Sequence, residues 1–154
     1  MAQIPFRVLA ADHTGLTVSD LDRSLAFWCD GLGFELSHRV HQSGALAEKI
    51  TGIAGAEISI AVVKAPGHKI ELLQYHAPAD RAGSGRIRSC DVGAAHVALL
   101  VDDLEAVLQA MARHDWQLQG EPQTLTTGPN TGKRVVYVRD PDGTTIELMQ
   151  PRGD

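Results

Sequence analysis

The chain repeats itself, and this repeat constrains its fold more than any other feature. Residues 13–34 read HTGLTVSDLDRSLAFWCDGLGF, and residues 96–116 read HVALLVDDLEAVLQAMARHDW. Laying His13 on His96 also lays Val18 on Val101, Asp20 on Asp103 and Leu21 on Leu104. The copies also end alike, GHKIELLQ at 67–74 against GTTIELMQ at 143–150, so Glu71 falls on Glu147. Matches at both ends, in the same order, mean one supersecondary unit used twice.

Each copy has the same internal grammar. His13 to Val18 and His96 to Val101 are short, β-branched-rich stretches that predict strands. Ser19 with Asp22, and Asp102 with Glu105, have the spacing of a helix-start box. Leu21, Leu25, Trp28 and Leu32 then recur at helical spacing, as do Leu104, Val107, Leu108 and Met111. Gly31 and Gly33 should end the first helix, and His114-Asp115 the second. Strands are expected at about 34–41, 57–64 and 69–75 in the first copy, and at 116–119, 133–139 and 144–149 in the second. The turn Asp140-Pro141-Asp142-Gly143 joins the last two. The unit is therefore βαβββ, and the fold class is α+β, one domain over residues 1–154. Its modules are 10–76 and 94–151, joined by a glycine-containing linker at 77–93. Residues 44–56, GALAEKITGIAGA, have no counterpart in the second copy and predict either a substrate-covering lid or a hairpin loop.

Composition removes several function classes. A chain of 154 residues can bury most of its apolar surface without disulfides or a structural metal. A net charge of −5 leaves no electrostatic footprint for nucleic acid. Cys29 and Cys90 form no CxxC pair and are expected to be reduced thiols. The start, MAQIPFRVLAADH, has no signal-peptide pattern, and no apolar run approaches the ~18 residues of a membrane span. A cytoplasmic protein acting on a small molecule, without nucleic-acid or membrane partners, is expected.

Four residues stand out against this background. Alternation along a strand puts His13 on one face with Gly15 and Thr17, and His96 with Ala98. Glu71 lies between Ile70 and Leu72, and Glu147 between Ile146 and Leu148. A carboxylate flanked by apolar residues in a strand is costly unless it is paired or bound to a cation. Two imidazoles and two carboxylates make an N2O2 donor set suited to borderline or hard divalent ions. On an octahedral ion they leave two positions for water or for two substrate oxygens.

The segments DHTGLTVSDLDRSLAFWCDGLGF, HKIELLQY, AAHVALLVDDLEAVL and VYVRDPDGTTIELMQP resemble the vicinal oxygen chelate superfamily over residues 10–151. That superfamily includes glyoxalase I, methylmalonyl-CoA epimerase, extradiol dioxygenases, fosfomycin-modifying enzymes and bleomycin-sequestering proteins. The resemblance implies paired βαβββ modules wrapping a cup of mostly antiparallel sheet, with helices outside. It carries the metal ligands onto His13, Glu71, His96 and Glu147. The ligand pattern is most similar to glyoxalase I and epimerase-like members. No asparagine-tryptophan-glycine stretch like that of glyoxalase I lies near Glu71.

These resemblances imply an isomerase or lyase with one divalent ion, Zn or Ni first, with Co, Mn, Mg or Fe as alternatives. It would bind vicinal oxygens of a small carbonyl substrate and shift an α-proton through an enediolate. Glu147 is the first choice for the base, with Glu71 as its partner; a metal-bound glutamate becomes basic only when displaced into its apolar wall. The alternatives are an Fe(II) extradiol-type dioxygenase and a non-catalytic sequestering protein. A homodimer is expected from exposed sheet edges. Glu48 could act as a second base if residues 44–56 fold over the cup. His38 and His41 fall on opposite faces of their strand, and Arg81, Arg86 and Arg88 are linker cations that could hold an anionic substrate tail.

Overall fold

The computed structural model describes residues 5–83 and 87–153. The first module runs β1 (Thr14–Thr17), α1 (Leu21–Leu25), β2 (Glu35–Gln42), α2 (Gly44–Thr51), β3 (Glu57–Ala65) and β4 (His68–Ala77). The second runs β5 (His96–Leu100), α3 (Leu104–Ala112), β6 (Gln117–Leu118), β7 (Gln123–Thr124), β8 (Arg134–Arg139) and β9 (Thr145–Gln150). Each module builds its own sheet, in order β1-β4-β3-β2 and β5-β9-β8-β6, with β7 also on β8. β1 lies parallel to β4 and β5 parallel to β9, and the remaining ladders are antiparallel. The two sheets share a four-strand order, as the duplication predicts, and β7 is an addition of the second that the βαβββ unit did not include.

The helix starts fall one residue later than the box spacing suggests. Asp20 caps α1 by accepting the Arg23 N–H, and Asp103 caps α3 by accepting the Ala106 N–H. Both acids satisfy an otherwise orphaned donor of the first turn. Ser19 is thereby left free for another partner. Beyond Leu25 the backbone widens into a π-helical stretch, Ala26–Gly31, which carries Phe27 and Trp28 into the core at 2% exposure each. The segment 44–56 is neither a bare loop nor a hairpin: it opens with α2, which Gly52 stops in the left-handed conformation (φ 71°).

One core serves both modules. Leu21, Leu25, Phe27 and Trp28 join Ile70 and Leu72 of the first sheet with Leu104, Met111, Ile146 and Leu148 of the second. Phe27 stacks on Trp116 with ring centroids 4.2 Å apart, and Trp28 meets Trp116 edge-on at 6.4 Å. Aromatic burial of this kind carries more free energy per residue than aliphatic contact, so the seam is a main stabiliser of the pair. It occupies one face of each sheet. The opposite faces carry Glu71 in the first sheet and Glu147 in the second, with Ile58, Ile60 and Val62 also buried on the first.

Candidate metal centre

Register decides which side chains share the free faces. Gly15 pairs with Glu71, and Glu71 with Val62. In the second sheet Ala98 pairs with Glu147, and Glu147 with Tyr137. Ile70, Leu72, Ile146 and Leu148 are wholly buried on the core side, so alternation turns Glu71 and Glu147 to the other. His13 directly precedes β1, two residues from Gly15, while His96 opens β5.

Each histidine meets its own module's glutamate. His13 Nε2 lies 3.2 Å from Glu71 Oε2, and His96 Nε2 lies 3.2 Å from Glu147 Oε2. The same two atoms face each other at the same distance in both copies. Two donors on one cation, with bonds of about 2.0–2.2 Å at near-tetrahedral or right angles, sit roughly 3.0–3.5 Å apart. Each pair therefore matches two neighbouring ligands of a single ion in spacing and in donor type. Among the described residues, no group of three or more His, Cys, Asp or Glu side chains gathers around one point. Among the described residues the four side chains come together as two separate His–Glu pairs rather than as one set of four.

The surroundings of the half-sites differ. His13 Nδ1 is 3.6 Å from Asp12, whose carboxylate is gripped by Lys69 and held below the usual aspartate range, chiefly by that hydrogen bond. At Gly15 an added Cβ would touch Leu73 Cδ1 at 3.4 Å and lie 3.9 Å from Glu71 Oε2, so the glycine keeps the wall beside Glu71 low. The His96 ring packs against Tyr137, centroids 5.1 Å apart. Burial, and then the nearby Glu147 charge, push the Tyr137 phenol above its ordinary value. Thr14–Thr17 of β1 and Ala95–Val97 at the start of β5 line a common cleft of about 190 Å³ with Thr144 and Thr145.

Sequence reasoning singled out the histidines and glutamates but not Tyr137, beside His96, nor Arg139, which pairs with Thr145 two residues before Glu147. The signal was available, since both alternate onto the Glu147 side of the strand VVYVR once β8 is aligned with β9. Glu48 is committed elsewhere, accepting the Gly55 N–H at 2.8 Å where it closes the turn after α2. His38 shares the Glu71 face through its register with Val62, and His41 lies on the opposite face beside Glu57 at 3.4 Å. Of the linker cations, Arg81 donates to the His76 and Pro78 carbonyls and Arg88 pairs with Asp91 at 2.7 Å. Arg86 lies outside the described residues.

A family model, "Glyoxalase/Bleomycin resistance protein/Dioxygenase superfamily", matches residues 10–148. The chain belongs to this superfamily. Similar proteins within it include a 2-epi-5-epi-valiolone epimerase from Actinomyces sp, 33% identical over 146 residues covering 92% of this chain and 79% of that protein. A probable lactoylglutathione lyase from Synechocystis sp. (strain ATCC 27184 / PCC 6803 / Kazusa) is 30% identical over 139 residues, covering 90% and 92%. The superfamily fold is matched by the crystal structure of a glyoxalase family protein from Bacillus cereus, with a TM-score of 0.84, 25% identity, and 99% and 100% coverage. Among the described residues no helix is long and apolar enough to cross a membrane.

Proposed function

We propose that this superfamily member is a divalent-metal-dependent enzyme that moves a proton at the carbon beside a carbonyl. The observation that supports the reading is the repeated His–Glu pair, the same atoms 3.2 Å apart at equivalent register in both modules. His13, Glu71, His96 and Glu147 would hold the ion. When bound, it supplies Lewis acidity toward a carbonyl oxygen, stabilising the charge left when the proton departs. Zn or Ni suits two imidazoles and two carboxylates best.

Glu147 is the proton acceptor in this reading, with Glu71 its counterpart for the return step. Both carboxylates are partly buried on the face turned away from the core, each 3.2 Å from the histidine nitrogen that would share the cation with it. Tyr137 stays neutral beside Glu147 and can donate a hydrogen bond without adding charge. Since each chain carries two separate pairs, a second copy offering its complementary pair would complete the donor set. The proposal therefore includes a homodimer with its centres between protomers. The names of the epimerase and lyase relatives agree with proton transfer beside a carbonyl.

The test combines metal analysis with isotope exchange. Purified protein should retain close to one divalent ion per two pairs. In ²H₂O it should exchange the α-proton of one class among hemithioacetals, 2-oxo thioesters and 2-oxo acids. Glu147→Gln keeps an oxygen for the cation but cannot accept a proton, so exchange should fall about 10²–10⁴-fold. Undiminished exchange in that variant removes Glu147 from the role. No exchange with any class, beside tight binding of a bulky ligand, favours the sequestering alternative.

A further inference from the structure

The two copies of the module can be compared row by row, and one row differs in charge. In the first sheet, Glu35 pairs with Lys64 and Lys64 with Lys69, which lies level with His13. Every charge in that row has an opposite partner: Lys64 Nζ is 2.8 Å from Glu35, and Lys69 holds Asp12. The matching row of the second sheet reads Gln117, Arg139, Thr145 and His96. Glutamine stands where Glu35 was, threonine where Lys69 was, and Ala95 where Asp12 was. Arg139 replaces Lys64 and keeps the positive charge, but both acids are gone.

Arg139 makes no salt bridge among the described residues. Asp91 is near enough to feel its charge but is already bonded by Arg88. Arg139 is half-buried and oriented by its neighbour, Nε donating to Thr145 Oγ1 at 3.4 Å. Thr145 itself is 6% exposed and lines the cleft that His96 also lines. Strands about 4.8 Å apart put Arg139 roughly 10 Å from His96 along this row, within reach of one small molecule touching both. With Nε turned toward Thr145, the two terminal nitrogens make no hydrogen bond to the described residues, and a guanidinium in that state can clamp a carboxylate or phosphate with two parallel hydrogen bonds.

We propose that Arg139, oriented by Thr145, is a specificity residue that binds the oxyanion of a substrate whose vicinal oxygens lie at the His96–Glu147 half-site. The substrate class is a small carbonyl compound with a carboxylate or phosphate a few bonds from its reacting centre. This rests on the metal-centre reading above, and it adds the acid group. Lys64, neutralised by Glu35, does not do the same on the other wall.

The experiment measures affinities by calorimetry on the full-length, Co²⁺-loaded protein. 2-Oxoglutarate and 2-oxopentanoate offer the same chelating end and differ in the distal acid; dihydroxyacetone phosphate offers a phosphate in its place. Wild type should bind 2-oxoglutarate or dihydroxyacetone phosphate at least tenfold more tightly than 2-oxopentanoate, and whichever is tighter identifies the acid. Arg139→Gln should erase that advantage, a loss of about 10- to 100-fold, while leaving 2-oxopentanoate and Co²⁺ binding unchanged. Arg139→Lys should recover part of it, and Lys64→Gln should change nothing. Equal affinities for acid and methyl ligands in wild type, or an equal loss in Lys64→Gln, would overturn the assignment. Phosphorus resonance broadening of inorganic phosphate on metal-free protein decides the point independently. Broadening lost in Arg139→Gln supports the subsite, and broadening unaltered by the substitution rejects it. Failure of Co²⁺ to bind sinks the metal-centre reading alone, because the phosphate measurement needs no metal.

Discussion

The Asp142 carboxylate of the second module reaches Ser19 of the first, accepting its backbone N–H at 2.9 Å and its hydroxyl at 2.6 Å. Arg23 adds a third bond at 2.8 Å. The turn between β8 and β9 is thereby tied to the start of α1. Burial opposes the charge, yet the Ser19 and Arg23 bonds outweigh it and hold the Asp142 carboxyl below its ordinary 3.8. A depressed acid contributes stability in full above the unfolded value and loses it as pH falls through the lower folded one.

Asp142→Asn should therefore destabilise the fold by about 1–3 kcal/mol at pH 7, and by progressively less below pH 4. Asp140, two residues away, provides the opposite sign. Burial is the main cause that raises its carboxyl, so the ionised form costs stability once pH passes the ordinary 3.8. Asp140→Asn keeps an oxygen for the Thr144 N–H and should be neutral or stabilising at pH 7. Urea midpoints of the two variants, measured from pH 3 to 7, should diverge in opposite directions.

Metal removal should lower the melting temperature, because ligands on separate strands come together only in the folded protein. At a free metal concentration 100-fold above Kd the linkage is about 2.7 kcal/mol. His13→Ala and His96→Ala should each shrink the difference between metal-saturated and chelator-treated protein. A scanning-calorimetry difference that persists unchanged in both variants would place the ion elsewhere.

The Tyr137 phenol should titrate above the ordinary 10.0 when followed by ultraviolet absorbance. Burial leads this effect and the Glu147 charge follows it, so Glu147→Gln should lower the value without returning it to normal. A full return would mean that charge, not burial, dominates beside His96.

Much of this architecture is legible in the residues because duplication reveals what a single copy conceals. One glutamate between Ile70 and Leu72 is ambiguous, whereas the same pattern at Glu147 shows that the position recurs in both copies. Boundaries were less legible. In SDLD and VDDLE two polar residues compete to cap the helix, and only the backbone angle at Asp20 and Asp103 decides the winner. The helix α2 was obscured by Gly44 and Gly52, which resemble loop punctuation although the residues between them favour a helix. Assembly of the two pairs was not legible at all, since neither alternation nor spacing states how one sheet sits against the other. The Arg139 row needed the register of β8 on β9 before its missing acids could be noticed.

Because β1 pairs with β4 and β5 with β9, each sheet closes on strands from its own half of the chain. During synthesis the first sheet is complete in sequence once Ala77 has left the ribosome, whereas Trp116, which caps Phe27, emerges later. At roughly 5–20 residues per second that interval is on the order of 2–8 s. Throughout it the Phe27 face that Trp116 later stacks on has no partner from the second half of the chain. The order in which the halves appear, rather than the stability of the finished protein, governs how long that exposure lasts.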